Sequence, residues 1–241
     1  NVHFNNLPKS LIDALVATED ERYFDHSGID LIALGRVFKG VILGDLKGGG
    51  STITQQLAKL LFPRKKLNKF EFVLRKFKEW IIATKLERNY TKEEILSLYL
   101  NKFDFLNNAV GINSAAQVYF SKTPDQLELH ESAMLVGMAK NPSLFNPIRR
   151  PDKVLKRRAV VLYQMFKNNY ISQADFDSIK KLDLDLDYNK VDHQTGLAPY
   201  FREILRLDLG KILTQKNENG GYIISKSNGE KYDLYSDGLK I

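Results

Sequence analysis

Apolar residues recur every three or four positions through most of this chain, and a capping or breaking residue restarts the pattern each time. Pro8 suits a first helical turn ahead of Leu11, Ile12, Leu15 and Val16. Asp30 suits the N-cap of a helix carrying Leu31, Leu34, Val37, Phe38 and Val41 on one side. The glycines from Gly44 to Gly50 end that helix. The next one starts near Ser51 or Thr52 and runs to about Leu61, where Pro63 interrupts. Asn68 is placed to cap a long helix to about Glu87, with Phe70, Val73, Leu74, Phe77, Ile81 and Thr84 on one stripe. Thr91 with Glu94 forms a capping-box pattern opening a helix to about Asn101. Further helices are expected near 111–119, 127–139, 151–168, 172–180 and 198–214. The spacing predicts a mainly α fold.

The tail carries another period. Leu182 to Tyr188 alternates apolar and acidic residues, as a half-exposed strand would. Tyr222 to Ser225, a turn at Asn228-Gly229, and Lys231 to Leu234 together predict a hairpin. The composition changes near residue 181.

At 241 residues the chain is one large domain, or one domain with an appendage. Hydrophobic residues at 43% and charged residues at 27% exclude an intrinsically disordered chain. No apolar run approaches the ~18 residues that a membrane-crossing helix needs. There is no cysteine, so disulfide scaffolds and thiolate metal sites are excluded. His26, His130 and His193 lack metal-ligand spacing, which argues against a zinc site. The chain starts at Asn1 and reads as a fragment cut from something longer.

The net charge of +7 is local. Lys59 to Lys92 holds eleven basic and three acidic residues, so the remainder is close to neutral. Leu60, Leu61, Phe62, Phe70, Phe72, Val73, Leu74, Phe77 and Trp80 interleave with those cations. Cations among large apolar side chains suit a membrane interface or a lipid phosphate. Nucleic acid and an ordinary solvated helix face are the competing readings.

Three segments could carry chemistry. Thr18 to Asp30 places Glu19 and Asp20 near a helix C-terminus, where the helix dipole disfavours negative charge. They are candidates for proton transfer, or simply solvated acids beside Arg22. Gly48 to Gln56 leads glycines into a helix bearing Ser51, Thr52, Gln55 and Gln56, a candidate anion or sugar site. It is not a phosphate-binding P-loop, because Gly50 stands where the lysine belongs. Arg75 and Glu79 are i, i+4 neighbours, either a surface ion pair or a carboxylate held among cations beside a phosphate.

The order of these segments is more specific than any one of them. From about Leu7 to Asp183 the chain resembles the peptidoglycan glycosyltransferase domain (family 51 glycosyltransferases) of class A penicillin-binding proteins. Five motif regions carry the resemblance. They are Glu19-Asp20 through Phe24, His26 and Gly28; Gly49 to Gln56 with Lys59; Arg75-Lys76 with Glu79, Ala83, Leu86 and Glu87; Ile95-Leu96 with Tyr99-Leu100-Asn101; and His130-Glu131 through Val136 to Asn146-Pro147. Arg157-Arg158 and Gly111 to Gln117 also match. Leu60 departs from the family, standing where many members carry Asn.

The resemblance implies a lysozyme-like, two-lobed helical domain over 1–183, with a membrane-facing subdomain at about 31–77. It implies that 184–241 begins a linker with a small β-containing character, leading towards a transpeptidase domain. The implied reaction polymerises lipid II into β-1,4 glycan, with inversion at the donor MurNAc and release of polyprenyl pyrophosphate. Glu19 would be the general base, and Glu79 would act on the leaving-group side. Lys59, Arg75 and Lys78 would stabilise the developing charge. Ser51, Thr52, Gln55 and Gln56 would position the sugars, and Asp20 would orient Glu19. No cofactor is obligatory; Mg2+ or Mn2+ at the pyrophosphate, held by Asp20 or Glu79, is the optional one. The implied partners are lipid II, the growing lipid-linked glycan and the outer face of the bacterial cytoplasmic membrane, through an upstream transmembrane anchor. Moenomycin is the expected inhibitor, and nucleic acid is not expected. A lysozyme-like hydrolase and a non-catalytic basic lipid- or nucleic-acid-binding module are the alternatives.

Overall fold

The computed structural model describes residues 1–44, 50–61, 69–189, 199–218, 220–226 and 229–232. Gly48, Gly49, Asn68 and Asn228, named above, lie outside the described residues.

Ten α-helices form among the described residues. They are α1 (Lys9–Glu19), α2 (Leu31–Leu43), α3 (Ile53–Leu61), α4 (Lys69–Asn89), α5 (Lys92–Lys102), α6 (Ile112–Phe120), α7 (Leu129–Ala139), α8 (Pro151–Lys167), α9 (Gln173–Ile179) and α10 (Pro199–Leu213). The expected mainly α architecture is present. Local chemistry sets several starts. Asp30 Oδ1 accepts from the Ala33 N–H at 2.9 Å and caps α2. Thr91 and Glu94 close a reciprocal capping box at α5. Pro8 sits one residue before α1 rather than within it.

The chain divides into two compact units, 1–190 and 191–241. In the first, α1, α7 and α8 pack on one another, and α3 packs on α4 and α5. Leu11, Ile12, Ala14, Leu15 and Val16 bury the inward face of α1. Each of its fully buried Leu or Ile side chains contributes about 2 kcal/mol. Helix α7 is buried nearly all round, from Glu131 to Met138, and forms the centre of the core. Its Gly137 matters for packing, since a Cβ there would meet Arg157 Cγ at 3.2 Å.

The alternation over Leu182–Tyr188 does not make a strand. This stretch joins no ladder; Leu186 N–H turns back to the Leu184 carbonyl at 3.1 Å, and other partners take several of its polar groups. The buried Arg158 guanidinium donates to the carbonyls of Leu182 and Asp183. Ser121 Oγ donates to the Asp187 carbonyl, and the Asn189 N–H donates to the Val118 carbonyl. These contacts anchor residues 182–189 to the first unit. In the second unit α10 is followed by isolated antiparallel bridges, Lys216 with Tyr222 and Ser225 with Lys231. The expected β-containing tail is therefore reduced, among the described residues, to single bridges. A lone two-stranded hairpin is at best marginally stable, which accounts for the difference.

Candidate active site

Glu19 is the last residue of α1, and three elements converge on it. From α3, Gln56 Nε2 donates to Glu19 Oε2 at 3.1 Å. From α5, the Tyr99 hydroxyl donates to Gln56 Oε1 at 3.2 Å. From α8, Arg157 Nη2 lies 3.5 Å from Glu19 Oε1, with side-chain exposures of 10% and 16%. Arg157 Nε also donates to the Gly137 carbonyl at 3.3 Å, so the arginine packs closely over Gly137. Burial pulls the Arg157 guanidinium down from its ordinary value and the Glu19 charge opposes this; the group stays cationic. Burial pushes the Tyr99 phenol well above the usual range, and Glu19 adds to the push.

The residue after Glu19 has a different task. Asp20 is 6% exposed. Its Oδ2 accepts the Ile53 N–H at 3.0 Å, at the first residue of α3. A carboxylate there complements the positive end of the helix dipole. Both Asp20 oxygens also lie within 3.1 Å of His26 Nε2. The Gly28 N–H points at His26 Nδ1 at 3.2 Å, which assigns Nδ1 as acceptor and Nε2–H as donor to Asp20. Thr52 caps α3, accepting the Gln55 N–H at 3.2 Å, and donates to the Gly28 carbonyl at 2.7 Å. Gln55 Nε2 reaches the same carbonyl at 3.3 Å. Gly28 has φ +88°, and a Cβ there would come within 3.0 Å of the Ala83 backbone. The end of α1, the loop behind it and the start of α3 thus form one hydrogen-bonded unit.

Beneath that loop Lys92 Nζ donates to the His26 carbonyl at 2.6 Å and to Glu87 at 2.9 Å, and lies 4.3 Å from the Tyr23 ring centroid. Thr54 Oγ1 donates to Glu87 at 2.6 Å. Burial, reinforced by Glu87, raises the Tyr23 phenol well above its ordinary value.

Glu79 is held otherwise. It is 4% exposed on α4. Arg75 Nε lies 3.5 Å from Oε1, and Lys76 Nζ lies 3.0 Å from Oε2. Lys76 also donates to Ser51 Oγ at 3.0 Å, joining α4 to the start of α3. Lys78 is exposed on the same helix. Lys76, rather than Lys78, makes the contact to Ser51.

Two cavities meet at Glu19. The larger, about 560 Å3, is lined by Thr18, Glu19, Ser51, Gln56, Lys59, Leu60, Tyr99, Phe103, Ala139, Lys140, Arg157, Val160 and Gln164. The smaller, about 230 Å3, shares Thr18, Glu19, Ser51 and Gln164 and includes Asp20, Arg22, Asp30, Arg36, Thr52 and Lys167. In the smaller one Arg22 Nη2 donates to both Asp30 oxygens, at 2.7 and 2.5 Å. Among the described residues Glu19 is the one carboxylate lining the larger cavity, which Lys59, Lys140 and Arg157 also line. Such a wall favours an anion. Of the residues singled out in the sequence, Glu19, Ser51, Gln56 and Lys59 come together on that wall. Asp20 and Thr52 line the smaller cavity only. Gln55 is buried on α3, its amide turned to the Gly28 carbonyl. Arg75 and Glu79 reach Ser51 through Lys76.

The donors suit a protein-held divalent ion poorly. The Asp20 oxygens already face His26 and a backbone N–H, and Glu79 already faces two cations. Among the described residues no cluster of three or more His, Asp or Glu is arranged to hold a metal.

Arg157, Lys140, Lys76 and Tyr99 are the groups at the site to which sequence reasoning gave no role. The only signals for them were Tyr99 and the Arg157-Arg158 and Arg75-Lys76 pairs within the family-like stretches.

A helical domain with a carboxylate set among cations on a cavity wall offers a proton acceptor beside an anion-favouring surface. The family model described as Transglycosylase matches residues 1–166. The chain belongs to that family. Penicillin-binding protein 1A of Escherichia coli (strain K12) is 38% identical over 224 residues, 92% of this chain and 26% of the relative. Penicillin-binding protein 1F of Bacillus subtilis (strain 168) is 36% identical over 245 residues, covering 98% of this chain and 34% of the relative. The crystal structure of Penicillin-Binding Protein 1A from Haemophilus influenzae matches with a TM-score of 0.50 at 24% identity, over 90% of this chain and 21% of that one. That last likeness is one of fold. The chain thus spans about a quarter to a third of the curated relatives it matches.

Proposed function

We propose that this chain is a peptidoglycan glycosyltransferase that polymerises lipid II into β-1,4 glycan. The observation that carries the reading is Glu19 on the larger cavity, held by Gln56 and Arg157, with Lys59 and Lys140 lining the same cavity. Glu19 takes the proton from the 4-hydroxyl of the acceptor GlcNAc. The freed oxygen attacks the anomeric carbon of the donor MurNAc from the face opposite the leaving group. The configuration inverts from α to β, and polyprenyl pyrophosphate departs with the bonding electrons. Lys59, Arg75 and Lys78 neutralise the charge that grows on the pyrophosphate, joined by Lys76. Glu79 orders Arg75 and Lys76 at that end. Ser51 and Gln56 shape the sugar-facing wall, and Thr52 and Gln55, buried on the Gly28 carbonyl, hold it from behind rather than meeting the sugars. Side-chain cations meet the leaving group.

A lipid-linked substrate requires the site to open at a membrane surface. Leu31 and Ile32 on α2, and Leu74, Phe77 and Ile81 on α4, are large apolar side chains exposed to solvent. They support a membrane-facing part within 31–77 and its extension to residue 81. Among the described residues no helix is long and apolar enough to cross a bilayer. We place the enzyme on the outer face of the bacterial cytoplasmic membrane, in a longer protein with an upstream anchor and a downstream transpeptidase domain. Moenomycin, which carries a phosphate and a lipid chain, is the expected inhibitor.

Product analysis of labelled lipid II in detergent tests the reading. The expected products are long glycan and free polyprenyl pyrophosphate. Shortened glycan with new reducing ends would establish the hydrolase instead. A chain that neither polymerises nor binds lipid II or moenomycin, while binding duplex DNA with steep salt dependence, would establish the basic binding module.

A further inference from the structure

A glutamine beside a catalytic carboxylate can face it in two ways. With Nε2 towards Glu19 the amide donates to the carboxylate; flipped, it presents carbonyl oxygen to carboxylate oxygen, which is repulsive. Backbone packing does not choose between them, because the two ends of the amide have nearly the same shape. The carboxylate can only accept, so it calls for Nε2, and a donor at the other end of the amide locks that orientation and fixes where the amide sits. Here that group is the Tyr99 hydroxyl, 3.2 Å from Gln56 Oε1. Tyr99 is 1% exposed, so no bulk water competes for its proton. Its ring is fixed by Phe103, with centroids 5.7 Å apart. α5 is anchored in turn by its capping box and by the buried Ile95 and Leu96.

We propose that Tyr99 is a positioning residue for the reaction: by donating to Gln56 Oε1 it holds the amide with Nε2 on Glu19 Oε2, and so keeps the general base in place. The other Glu19 oxygen faces Arg157, whose guanidinium is steered by the Gly137 carbonyl. The carboxylate is thus gripped from α3 and α8, while Tyr99 acts on it through Gln56. This inference rests on Glu19 being the base, and the variants below separate the two claims.

The test uses Tyr99→Phe, Gln56→Leu and the double variant of the full chain. Lipid II turnover is followed at saturating and sub-saturating substrate, with thermal melting as a folding check. Tyr99→Phe keeps the ring and removes only the hydroxyl. The expected result is kcat down about 10-fold or more, with KM within about threefold of the parent. Because Tyr99 acts through Gln56, the double variant should be no slower than Gln56→Leu by more than about threefold. An unchanged kcat for Tyr99→Phe, or losses that multiply in the double variant, would overturn the proposal. If Tyr99→Phe fails to fold, the side-chain amide NMR signals of Gln56 decide. They should move on Glu19→Gln in an otherwise unchanged chain, and signals that stay put overturn it. Should Glu19→Gln polymerise at the parent rate, the base assignment itself falls. Should Glu19→Gln be inactive while Tyr99→Phe is fully active, only the positioning role falls.

Discussion

The end of α1 and the middle of α4 each hold a glutamate out of bulk water, and they dress it in opposite ways. Glu19 meets one neutral amide and one guanidinium from other helices, and it opens onto a cavity. Glu79 meets two cations from its own helix and is nearly sealed, with 5% of its side chain exposed against 16% for Glu19. A carboxylate gripped at a cavity wall can exchange a proton with something in that cavity. One sealed between two cations can instead fix where those cations point. Under the proposed function, their neighbours would divide two carboxylates of the same type between base and scaffold, so that one site runs two electrostatic tasks.

The comparison is broken most severely at Glu19. Glu19→Gln keeps the shape and removes the base, so glycan formation should fall by about 10²–10⁴-fold, or roughly 3–5.5 kcal/mol of barrier. Glu79→Gln should instead loosen Arg75 and Lys76. A loss of about 10²-fold is expected, accompanied by weaker binding of the pyrophosphate end, read as a raised KM. Lys76→Met should share that KM signature, whereas Lys76→Arg should recover part of it. If Glu79→Gln lowered kcat alone, the scaffold role would be wrong.

Asp20 sharpens the contrast from the structural side. Asp20→Asn cannot both accept from His26 and hold a negative charge at the start of α3. It should cost about 1–3 kcal/mol of stability, visible in thermal or urea unfolding, with activity falling as the α1–α3 junction loosens. A stable but inactive Asp20→Asn would indicate a direct part in chemistry. The smallest effect belongs to the apolar rim. Replacing Leu31 and Ile32 with Ser should weaken flotation with anionic vesicles about 10-fold and leave the melting temperature almost unchanged, since both are largely exposed. A large drop in melting temperature would mean that they are packing residues.

How far the sequence foretold this differs between fold and site. The helices were legible because their signals are local. Period, caps and breakers place α1 to α10 within a few residues, and Asp30 and Thr91 act as the caps they resemble. The strand expected at Leu182–Tyr188 failed for a tertiary reason. Arg158, 24 residues away, takes the carbonyl that a ladder would have used. Through the order of family-like stretches the sequence singled out Glu19, Ser51, Gln56 and Lys59, which the fold brings onto one cavity wall. It gave no role to the residues that support them. Arg157 reaches Glu19 from 138 positions away, and packs closely over Gly137, where an added Cβ would lie 3.2 Å from its Cγ. The choice between Lys76 and Lys78 depends on helical phase relative to Ser51, which no local pattern reveals.

The most direct measurement is lipid II affinity and glycan formation on the same preparation of Glu19→Gln. The account predicts affinity within about threefold of the parent and glycan formation down at least about 100-fold. Polymer made at more than about a tenth of the parent rate would contradict it, because Glu19 could then not be the group that takes the proton.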